Sequence, residues 1–427
     1  MTTKRKAELE LAMERSGKAW KWIRRGIVGS LAAQVAGVVA VYAIDARRKR
    51  RSPGGFKGFS SARSDTTVVD GNQIKTYTRG TELYADQIAA INNAKEMVYF
   101  ETYVWRSDRI GWMFKDALYA AAERGVKVFV IYDGFGSLKS SVKFKHFKNH
   151  PNMYVHRLAE IRKGTATANP RATGRNHRKL LLVDDKIGFV GGFNVGVDFG
   201  TEWRDTHIRI IGPAVRPLSL AFRQFWNLFR AKNQPELPDW EELPWSGSIT
   251  PAFNLPSSLL FPVRGQYLEA FEKATQSIDL TTAYFIPDRD ILHALIRATK
   301  RGVRVRILVP EYSNHILADW VARPFFGELM EADVEIWLYQ HAMIHAKTLV
   351  IDNYRSIVGT ANIDRLSMSG NFEVTVQIDS ENFGEQMERI FERDLETSRK
   401  LNLKEWNGRS RWVRFLERLV SRFSFIV

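Results

Sequence analysis

Two stretches of the chain repeat one arrangement of ionisable residues. "NHRKLLLVDD", from residue 176, and "IHAKTLVIDN", from residue 344, each hold a histidine, a lysine two residues later and then a short apolar run. Side chains two residues apart on a strand share a face, so His177 points the same way as Lys179, and His345 the same way as Lys347. An imidazole beside an ammonium group suits chemistry at a phosphate. The imidazole can attack phosphorus or transfer a proton, while the ammonium group balances the negative charge of the phosphate.

The histidines also need partners that hold them in position. Asp184 follows His177 by seven residues, which is roughly 23 Å along a strand, so it cannot be the hydrogen-bond acceptor for that imidazole. A catalytic imidazole needs an acceptor on its second nitrogen, which fixes the tautomer and raises basicity. One candidate spacing recurs, because Asp205 follows His177 at the same interval as Glu373 follows His345. We predict that these two are the orienting carboxylates.

A short turn with asparagine follows each motif. "GGFN" ends at Asn194 and "GTAN" ends at Asn362, and the two asparagines are separated by the same interval as the two histidines. The asparagine amides and the neighbouring backbone at Gly192 and Thr360 are predicted to bind substrate by donating to phosphate oxygens.

The paired motifs predict one shared site for a phosphodiester. One imidazole would attack phosphorus while the other protonates the departing alcohol and then, as a base, activates the incoming acceptor. The two histidines must hold opposite protonation states, so we expect them to titrate as a coupled pair. A zinc site is a poor alternative, because each half supplies one motif histidine beside a lysine whose charge repels a cation. We expect no metal and no cofactor.

The elements around the motifs are duplicated as well. "NAKEMVYFETYVW" and "AAAERGVKVFVIYDG" recur as "KATQSIDLTTAYFIP" and "RATKRGVRVRILVPE", each time a strand, a helical stretch and a second apolar strand. This order predicts α/β layers with strands buried on both faces. The stretch between the halves, residues 233–262, holds six of the fourteen prolines and is predicted to be an irregular surface connector.

Composition limits the classes of protein. At 427 residues two domains are expected, and the absence of cysteine excludes disulfides and thiolate chemistry. The net charge of +16 lies mostly at the ends: residues 1–63 hold 15 Lys/Arg against 4 Asp/Glu, and residues 404–427 hold 6 against 2. The body between them is nearly neutral, which weighs against a nucleic-acid groove.

Both ends carry membrane-directed patterns. Residues 26–44 contain no charge and are flanked by arginine and lysine, and a helix of that length spans about 28 Å, enough for one transmembrane helix. A buried core helix or a cleaved signal peptide is the alternative interpretation. Gly29, Ala33 and Gly37 lie on one side of it, which would allow a homodimer. The tail from residue 404 is predicted to form a basic amphipathic helix whose apolar face includes Trp412, Val413 and Leu416. Such a helix suits either an anionic lipid surface or packing on its own domain with a solvated basic side.

The sequence resembles the phospholipase D superfamily, whose HxKxxxxD signature occurs twice. More narrowly, "NHRKLLLVDDKIGFVGGFN" and "GTANIDRLSMSGNFE" resemble bacterial cardiolipin synthases. The resemblance runs from about residue 71 to 403 and implies two similar α/β/α lobes related by a pseudo-twofold axis, with a covalent phosphatidyl-histidine intermediate. It also implies His177 as nucleophile and His345 as acid and base. The residues that it makes catalytic are His177, Lys179, Asp184, His345, Lys347 and Asp352. Family members commonly carry two membrane spans before this body, and only one is found here.

The leading functional hypothesis is a membrane-bound phosphatidyltransferase. It would make cardiolipin and glycerol from two phosphatidylglycerols, or use phosphatidylethanolamine as the donor, at the bacterial cytoplasmic membrane. A phospholipase D hydrolase and a membrane-anchored nuclease are the alternatives, and two intact motifs disfavour a non-catalytic lipid-binding scaffold. The predicted divisions are a basic segment 1–25, a transmembrane helix 26–44, a basic linker 45–70, a first lobe 71–232, a connector 233–262, a second lobe 263–403 and a tail 404–427.

Overall fold

The structure is a computed structural model that describes residues 58–59, 64–159, 174–238 and 247–421. Within these ranges no helix has both the length and the apolar character that crossing a bilayer requires. The predicted transmembrane helix, at residues 26–44, lies outside the described residues, as do most of the basic linker and the last six residues of the tail.

The first lobe is built on an eight-stranded sheet. Its strand order is β1-β2-β9-β7-β6-β3-β4-β5, with β3, β4 and β5 parallel and the remaining neighbours antiparallel. Its strands are β1 Thr66–Val69, β2 Asn72–Tyr77, β3 Met97–Thr102, β4 Lys127–Asp133, β5 Met153–Leu158, β6 Leu180–Val183, β7 Ile187–Gly191 and β9 His207–Ile211. The short strand β8, Trp203–Arg204, lies outside this sheet.

The second lobe repeats this topology. The strand order of its sheet is β10-β17-β16-β15-β11-β12-β13-β18. The first seven of these strands match the run β2-β9-β7-β6-β3-β4-β5 of the first sheet, both in order and in relative direction. Its strands are β10 Ile249–Phe253, β11 Ser277–Thr281, β12 Arg304–Pro310, β13 Glu335–Tyr339, β15 Thr348–Ile351, β16 Arg355–Gly359, β17 Val374–Asp379 and β18 Ser398–Lys400. The short strand β14, Met343–Ile344, lies outside this sheet and pairs with β8. The internal repeat found in the sequence is therefore a repeat of fold.

Helices cover the sheets. In the first lobe they are α1 Gly80–Asn93, α2 Arg109–Glu123, α3 Val142–Lys145, α4 Val197–Thr201 and α5 Val215–Phe229. In the second lobe they are α6 Pro262–Lys273, α7 Arg289–Lys300, α8 Ile316–Glu331, α9 Arg365–Ser369, α10 Glu381–Glu396, α11 Leu403–Asn407 and α12 Arg411–Ser421.

The central strands are buried on both faces, as their continuous apolar sequences predict. In β6, Leu181 belongs to the outer core of the first lobe, whereas Leu182 belongs to a core that both lobes share. In β15, Leu349 faces the outer core of the second lobe and Val350 faces the shared core. Alternation along a strand therefore sends every second side chain toward the lobe interface, and the two lobes are joined by a continuous apolar layer.

The connector between the lobes differs from its prediction. Residues 249–253, inside the stretch expected to be irregular, form β10 and pair with β17. Pro251 lies within this strand, but β10 is at the edge of its sheet, where a missing backbone N–H is tolerated. The prediction of an irregular connector, which was based on its prolines, is therefore wrong for residues 249–253.

The described part of the tail packs on its own domain. Glu417 of α12 is buried and accepts hydrogen bonds from Arg323 of α8 and from Arg409. Trp412, predicted to lie on the apolar face of the tail, is instead 75% exposed beside Phe415. Val413 and Leu416 of the same predicted face pack against the core of the second lobe, so part of that face lies on the domain and Trp412 lies outside the contact.

Candidate active site

The two motif histidines lie where the lobes meet. The segment before His177 pairs in parallel with Phe372 of the second lobe, and the His177 backbone N–H donates to the Phe372 carbonyl at 3.0 Å. In the other half, β14 pairs in parallel with β8, and the His345 N–H donates to the Arg204 carbonyl at 2.7 Å. Each histidine is thus held by a strand of the opposite lobe.

These pairings bring each histidine to a carboxylate of the opposite lobe. His177 Nδ1 lies 3.0 Å and 3.1 Å from the two carboxylate oxygens of Glu373. His345 Nδ1 lies 2.6 Å from Oδ2 of Asp205. The carboxylates singled out by spacing are therefore at the site, but neither lies beside the histidine of its own lobe. With Nδ1 occupied, Nε2 of each ring is the nitrogen left for chemistry.

Burial sets the electrostatics of the histidines. The side chain of His177 is 12% exposed and that of His345 is 5% exposed. Burial lowers the pKa of His177, which the charge of Glu373 partly offsets. Burial, with repulsion from Lys347, Lys179 and His177, holds the pKa of His345 well below its ordinary value. The two imidazoles are thus close enough to interact, and both favour the neutral form in the free protein.

The two motif lysines share this environment. Lys179 Nζ donates to the His177 carbonyl at 2.5 Å, and Lys347 Nζ donates to the His345 carbonyl. Burial lowers the pKa of Lys179 to about 7 and that of Lys347 to about 8, while the carboxylates of the site partly offset the effect. Burial also raises the pKa of Asp205 to about 6. Two ammonium groups held at one place form a cationic locus for an anionic group.

The motif aspartates are not at this site. Asp184 accepts hydrogen bonds from the backbone N–H groups of residues 95, 96 and 97, all at 2.9 Å, where β3 begins. Asp352 accepts from those of residues 275, 276 and 277 at 2.7–2.8 Å, where β11 begins. Both lie in turns with positive φ, 55° and 52°, at the far ends of β6 and β15. They fix the register of neighbouring strands, and the resemblance alone makes them catalytic.

Two of the four residues predicted to bind substrate, Gly192 and Thr360, lie beside the carboxylates. Gly192 packs against Asp205 so tightly that a Cβ would lie 2.0 Å from Oδ1. Thr360, the corresponding residue of the second lobe, donates its hydroxyl to Glu373 Oε2 at 2.5 Å. Asn194 Oδ1 accepts from the Val104 N–H, which turns its amide nitrogen away from that backbone. These contacts show Gly192 and Thr360 supporting the carboxylates. Their backbone N–H groups donate to the carbonyls of Thr206 and Val374 at 2.9 Å, so the prediction that these N–H groups donate to phosphate oxygens is wrong.

The fourth residue differs from its counterpart. Asn362 is 3% exposed, and its Oδ1 has no hydrogen-bond partner within the part of the chain that the structure describes. A buried amide oxygen without a hydrogen-bond partner is costly unless a ligand or a water molecule donates to it.

Among the described residues there is no cluster of three or more His, Cys, Asp or Glu side chains arranged for a metal.

Three aromatic residues at the site were not found from the sequence. The Tyr103 ring lies edge-on to His177 at 4.9 Å, and Trp203 lies edge-on to His345 at 5.0 Å. Tyr284 is 6.4 Å from His345. Tyr103 and Tyr284 follow the carboxyl ends of β3 and β11, and that position is the signal that could have identified them, because ligands of open α/β sheets bind there.

A buried ionic network supports the first motif from beneath. Arg178, between the histidine and the lysine, is fully buried and donates through Nε and Nη2 to Glu101 Oε1 at 3.1 and 2.8 Å. Asn176 Nδ2 donates to the same oxygen at 2.7 Å. Because Arg178 also donates to the Ala221 carbonyl of α5, the network ties the motif to both β3 and α5.

Two similar lobes with reciprocal histidine–carboxylate pairs at their interface define a phospholipase D-type protein. The chain matches the family model described as "Cardiolipin synthase, PLD-like domain" over residues 87–226 and 267–395, and it belongs to that family.

Curated relatives match over most of the chain. A cardiolipin synthase of Staphylococcus aureus strain Mu50 is 33% identical over 356 residues, covering 81% of this chain and 72% of the relative. The major cardiolipin synthase ClsA of Bacillus subtilis strain 168 is 33% identical over 364 residues, covering 82% and 74%.

Solved structures share the fold. Phosphatidylserine synthase of Haemophilus influenzae Rd KW20 superposes with a TM-score of 0.64 at 15% identity, covering 83% of this chain and 93% of that chain. Polyphosphate kinase of Porphyromonas gingivalis superposes with a TM-score of 0.54 at 11% identity, covering 83% and 53%. Identities this low support a common fold only.

Proposed function

We propose that this protein is a phosphatidyltransferase that makes cardiolipin and glycerol from two molecules of phosphatidylglycerol. The observation that carries the proposal is the reciprocal arrangement in which His177 pairs with Glu373 and His345 pairs with Asp205 across the lobe interface. The relatives named cardiolipin synthase, 32–33% identical over most of the chain, support this choice of substrate. Phosphatidylethanolamine is an alternative donor with the same chemistry.

In the first step the phosphatidyl group moves to the protein. His177 Nε2 attacks phosphorus, a P–N bond forms, and the P–O bond to the departing glycerol breaks. His345 gives its Nε2 proton to the glycerol oxygen, so it must enter this step protonated. Because burial favours the neutral imidazole, the negative charge of the bound phosphodiester would supply the stabilisation that protonates it.

In the second step the phosphatidyl group moves to the acceptor. A hydroxyl of the second phosphatidylglycerol gives its proton to His345 and attacks phosphorus, the P–N bond breaks, and the covalent histidine is released. Asp205 and Glu373 hold the Nδ1 protons throughout, which keeps both Nε2 atoms directed at phosphorus. The near-symmetry of the site means that the assignment of His177 as nucleophile rests on the resemblance.

The lysines and the asparagines stabilise the charge that develops on the phosphoryl oxygens. The pKa values of Lys179 and Lys347 are about 7 and about 8 in the free protein, and the bound phosphate would hold both in the charged form. In this buried setting the two charges would act strongly. The unpaired amide oxygen of Asn362 would accept a hydrogen bond from the second, non-reacting hydroxyl of the acceptor's glycerol group. Specificity for an alcohol over water would follow from holding that hydroxyl in line with phosphorus.

The organisation of the chain enters the proposal as well. We infer a pseudo-twofold relation between lobes at residues 71–232 and 263–403, supported by the matched strand order of the two sheets. A transmembrane helix at residues 26–44 would anchor this body at the bacterial cytoplasmic membrane, and helix contacts through Gly29, Ala33 and Gly37 would allow a homodimer.

Incubation of the purified protein with phosphatidylglycerol, followed by lipid mass spectrometry, tests the proposal. Cardiolipin together with glycerol is the expected product. Phosphatidic acid would indicate the hydrolase instead, and cleavage of nucleic acid without lipid turnover would indicate the nuclease.

Variants of the two histidines test the shared site. His177→Ala and His345→Ala should each abolish product while the protein remains folded, as judged by circular dichroism. His293→Ala, at an exposed position on α7, is the matched control and should keep full activity. Full activity in either motif variant would reject a site made by both lobes.

A further inference from the structure

The connection from β4 to β5 combines exposed apolar side chains with positive charge. Residues 134–150 include four lysines and no aspartate or glutamate. Phe135, Leu138 and Val142 are among the most exposed large apolar residues of the described chain, with Val142 85% exposed. A soluble protein rarely displays apolar side chains together without a partner for them.

This connection is held firmly. Lys115 is 3% exposed and donates to the carbonyls of Phe144 and His146 at 2.5 and 2.6 Å. The Phe144 ring is buried against Trp105, and Ser141 caps α3. The apolar tips are therefore displayed by a fixed backbone and are not the result of a loosely packed loop.

The second lobe displays a matching apolar tip. Leu259 and Leu260 lie in a tight turn closed by hydrogen bonds between Leu255 and Leu260, and both are about half exposed. Leu259 has φ +55°, a left-handed conformation that costs about 1 kcal/mol or more for a residue other than glycine. Leu366 of α9 is exposed at 42%.

Both tips border the segment that leads into His177. The Arg175 guanidinium lies 4.6 Å from the centre of the Phe135 ring. The Arg175 N–H donates to Asn371 Oδ1, and the Asn371 N–H donates to the Leu366 carbonyl. On the same segment, a Cβ on residue 174 would lie 3.2 Å from Pro256, which is three residues before Leu259. The apolar tips therefore flank the approach to the more exposed histidine.

We propose that these tips form one docking surface, the rim, that places the opening of the site on an anionic phospholipid bilayer. The rim consists of Phe135, Leu138, Val142, Leu259, Leu260 and Leu366. Apolar side chains would enter the headgroup boundary while Lys139, Lys143 and Lys148 meet anionic headgroups. The inference rests on the proposed function, because it explains how a lipid phosphate reaches a buried site without leaving the membrane.

The absence of cysteine allows a direct test with the full chain. A single cysteine at Leu138 or Leu260 takes an environment-sensitive fluorophore at one position only. Val68→Cys is the matched control, because Val68 is 64% exposed on β1, at the opposite edge of the first sheet from β5. The labelled proteins are reconstituted in vesicles of phosphatidylglycerol and phosphatidylcholine, with aqueous iodide or spin-labelled lipid as the quencher.

Rim labels at both positions should be quenched by spin-labelled lipid and shielded from iodide at least threefold relative to the Val68 label. Labels open to iodide would overturn the proposal. Shielding without lipid quenching would also overturn it, because it would indicate a contact with a second copy of the chain. Membrane anchoring elsewhere does not affect the comparison, since the control carries the same anchor.

Activity separates this inference from the proposed function. The variant Leu138→Asp/Val142→Asp should lose at least tenfold in turnover of phosphatidylglycerol bilayers and keep its turnover of a short-chain soluble phosphatidylglycerol. Equal loss on both substrates would reject the rim. If rim labels enter the bilayer but no cardiolipin forms, docking stands and the proposed function fails.

Discussion

Arg204 of the first lobe forms a buried salt bridge with Asp394 of the second lobe through two hydrogen bonds. Nε lies 2.9 Å from Oδ1 and Nη2 lies 2.6 Å from Oδ2. The Arg204 carbonyl also accepts the His345 N–H, and the guanidinium donates to the Asp205 carbonyl. One ion pair thus ties together the lobe interface, the carboxylate and the histidine.

The equivalent position in the other half is apolar. Phe372, which immediately precedes Glu373 as Arg204 precedes Asp205, packs edge-on to Phe225 at 4.8 Å and to Phe229 at 5.5 Å. His177 is therefore backed by an aromatic cluster and His345 by an ion pair, so the repeated lobes do not build chemically identical half-sites.

Breaking the ion pair from one side should destabilise the protein strongly. Arg204→Met leaves the Asp394 carboxylate buried and unpaired, so we expect a loss of about 3–5 kcal/mol in the free energy of unfolding by urea denaturation. The double variant Arg204→Met/Asp394→Leu should recover most of that loss. Lys273→Met, which breaks the exposed pair with Glu269, should change it by less than about 1 kcal/mol. Equal losses in the single and double variants would contradict this account.

Removing the charge of either carboxylate should slow turnover more than it affects stability. Asp205→Asn and Glu373→Gln keep side-chain size but lose the acceptor that fixes the histidine tautomer, so we expect kcat to fall by about 10²–10⁴. Steady-state kinetics and thermal unfolding measure the two effects. Glu328→Gln, at an exposed position on α8, should leave both unchanged. A carboxylate variant with normal kcat would show that its histidine needs no partner.

The sequence identified these carboxylates but could not assign them to histidines. The recurring interval between histidine and carboxylate is a property of each repeat, whereas the contacts join residues 196 positions apart for His177 and Glu373, and 140 apart for His345 and Asp205. Each histidine pairs with the carboxylate of the opposite lobe because of the way the two sheets pack, and no local sequence pattern predicts that packing. The same limit concealed Arg204 and Asp394, which are ordinary charged residues in the sequence.

The local patterns predicted more of the fold than of the site. Continuous apolar runs such as Leu180–Val183 became strands buried on both faces, because burial on both sides leaves no place for polar residues. The predictions were poorer where tertiary context decides, as in β10 with Pro251 and at Trp412, which is exposed although Val413 beside it packs on the second lobe.

Activity and stability should move in opposite directions above neutral pH. The pKa values of about 7 for Lys179 and about 8 for Lys347 lie below the ordinary 10.5. Above pH 8 the two lysines lose the positive charge that binds and stabilises the phosphate, so kcat/KM should fall. From pH 7 to about 10 the unfolded state binds more protons at these residues, so the free energy of unfolding should rise with pH.

Urea denaturation and kinetics at pH 7, 8 and 9 measure both trends. Lys179→Met/Lys347→Met should reduce the pH-dependent rise in the free energy of unfolding, because these two side chains no longer titrate. The rise that remains should come from Lys115, whose pKa burial lowers to about 8. A fall in stability that parallels the fall in kcat/KM would instead assign the alkaline loss of activity to unfolding.

Asp352 should prove to be a residue of folding and not of chemistry. Burial alone would raise its pKa, but hydrogen bonds from Ser277, Gln276 and Thr275 hold the pKa below the ordinary value. Asp352→Asn cannot accept as strongly from these donors, so we expect a loss of about 1–3 kcal/mol in the free energy of unfolding. Because the carboxylate lies at the far end of β15 from His345, kcat per folded molecule should stay within about threefold of its original value.

Asp333→Asn is a suitable control for that variant. Asp333 also has a positive φ, 60°, at an exposed turn, and asparagine tolerates this conformation as well as aspartate does. Any difference between the two variants therefore reports the hydrogen bonds of Asp352 and not its backbone. Asp184→Asn should behave like Asp352→Asn, since it loses the matching contacts at the start of β3. A fall in kcat as large as that expected for Asp205→Asn, in protein that remains folded, would return both aspartates to the catalytic machinery.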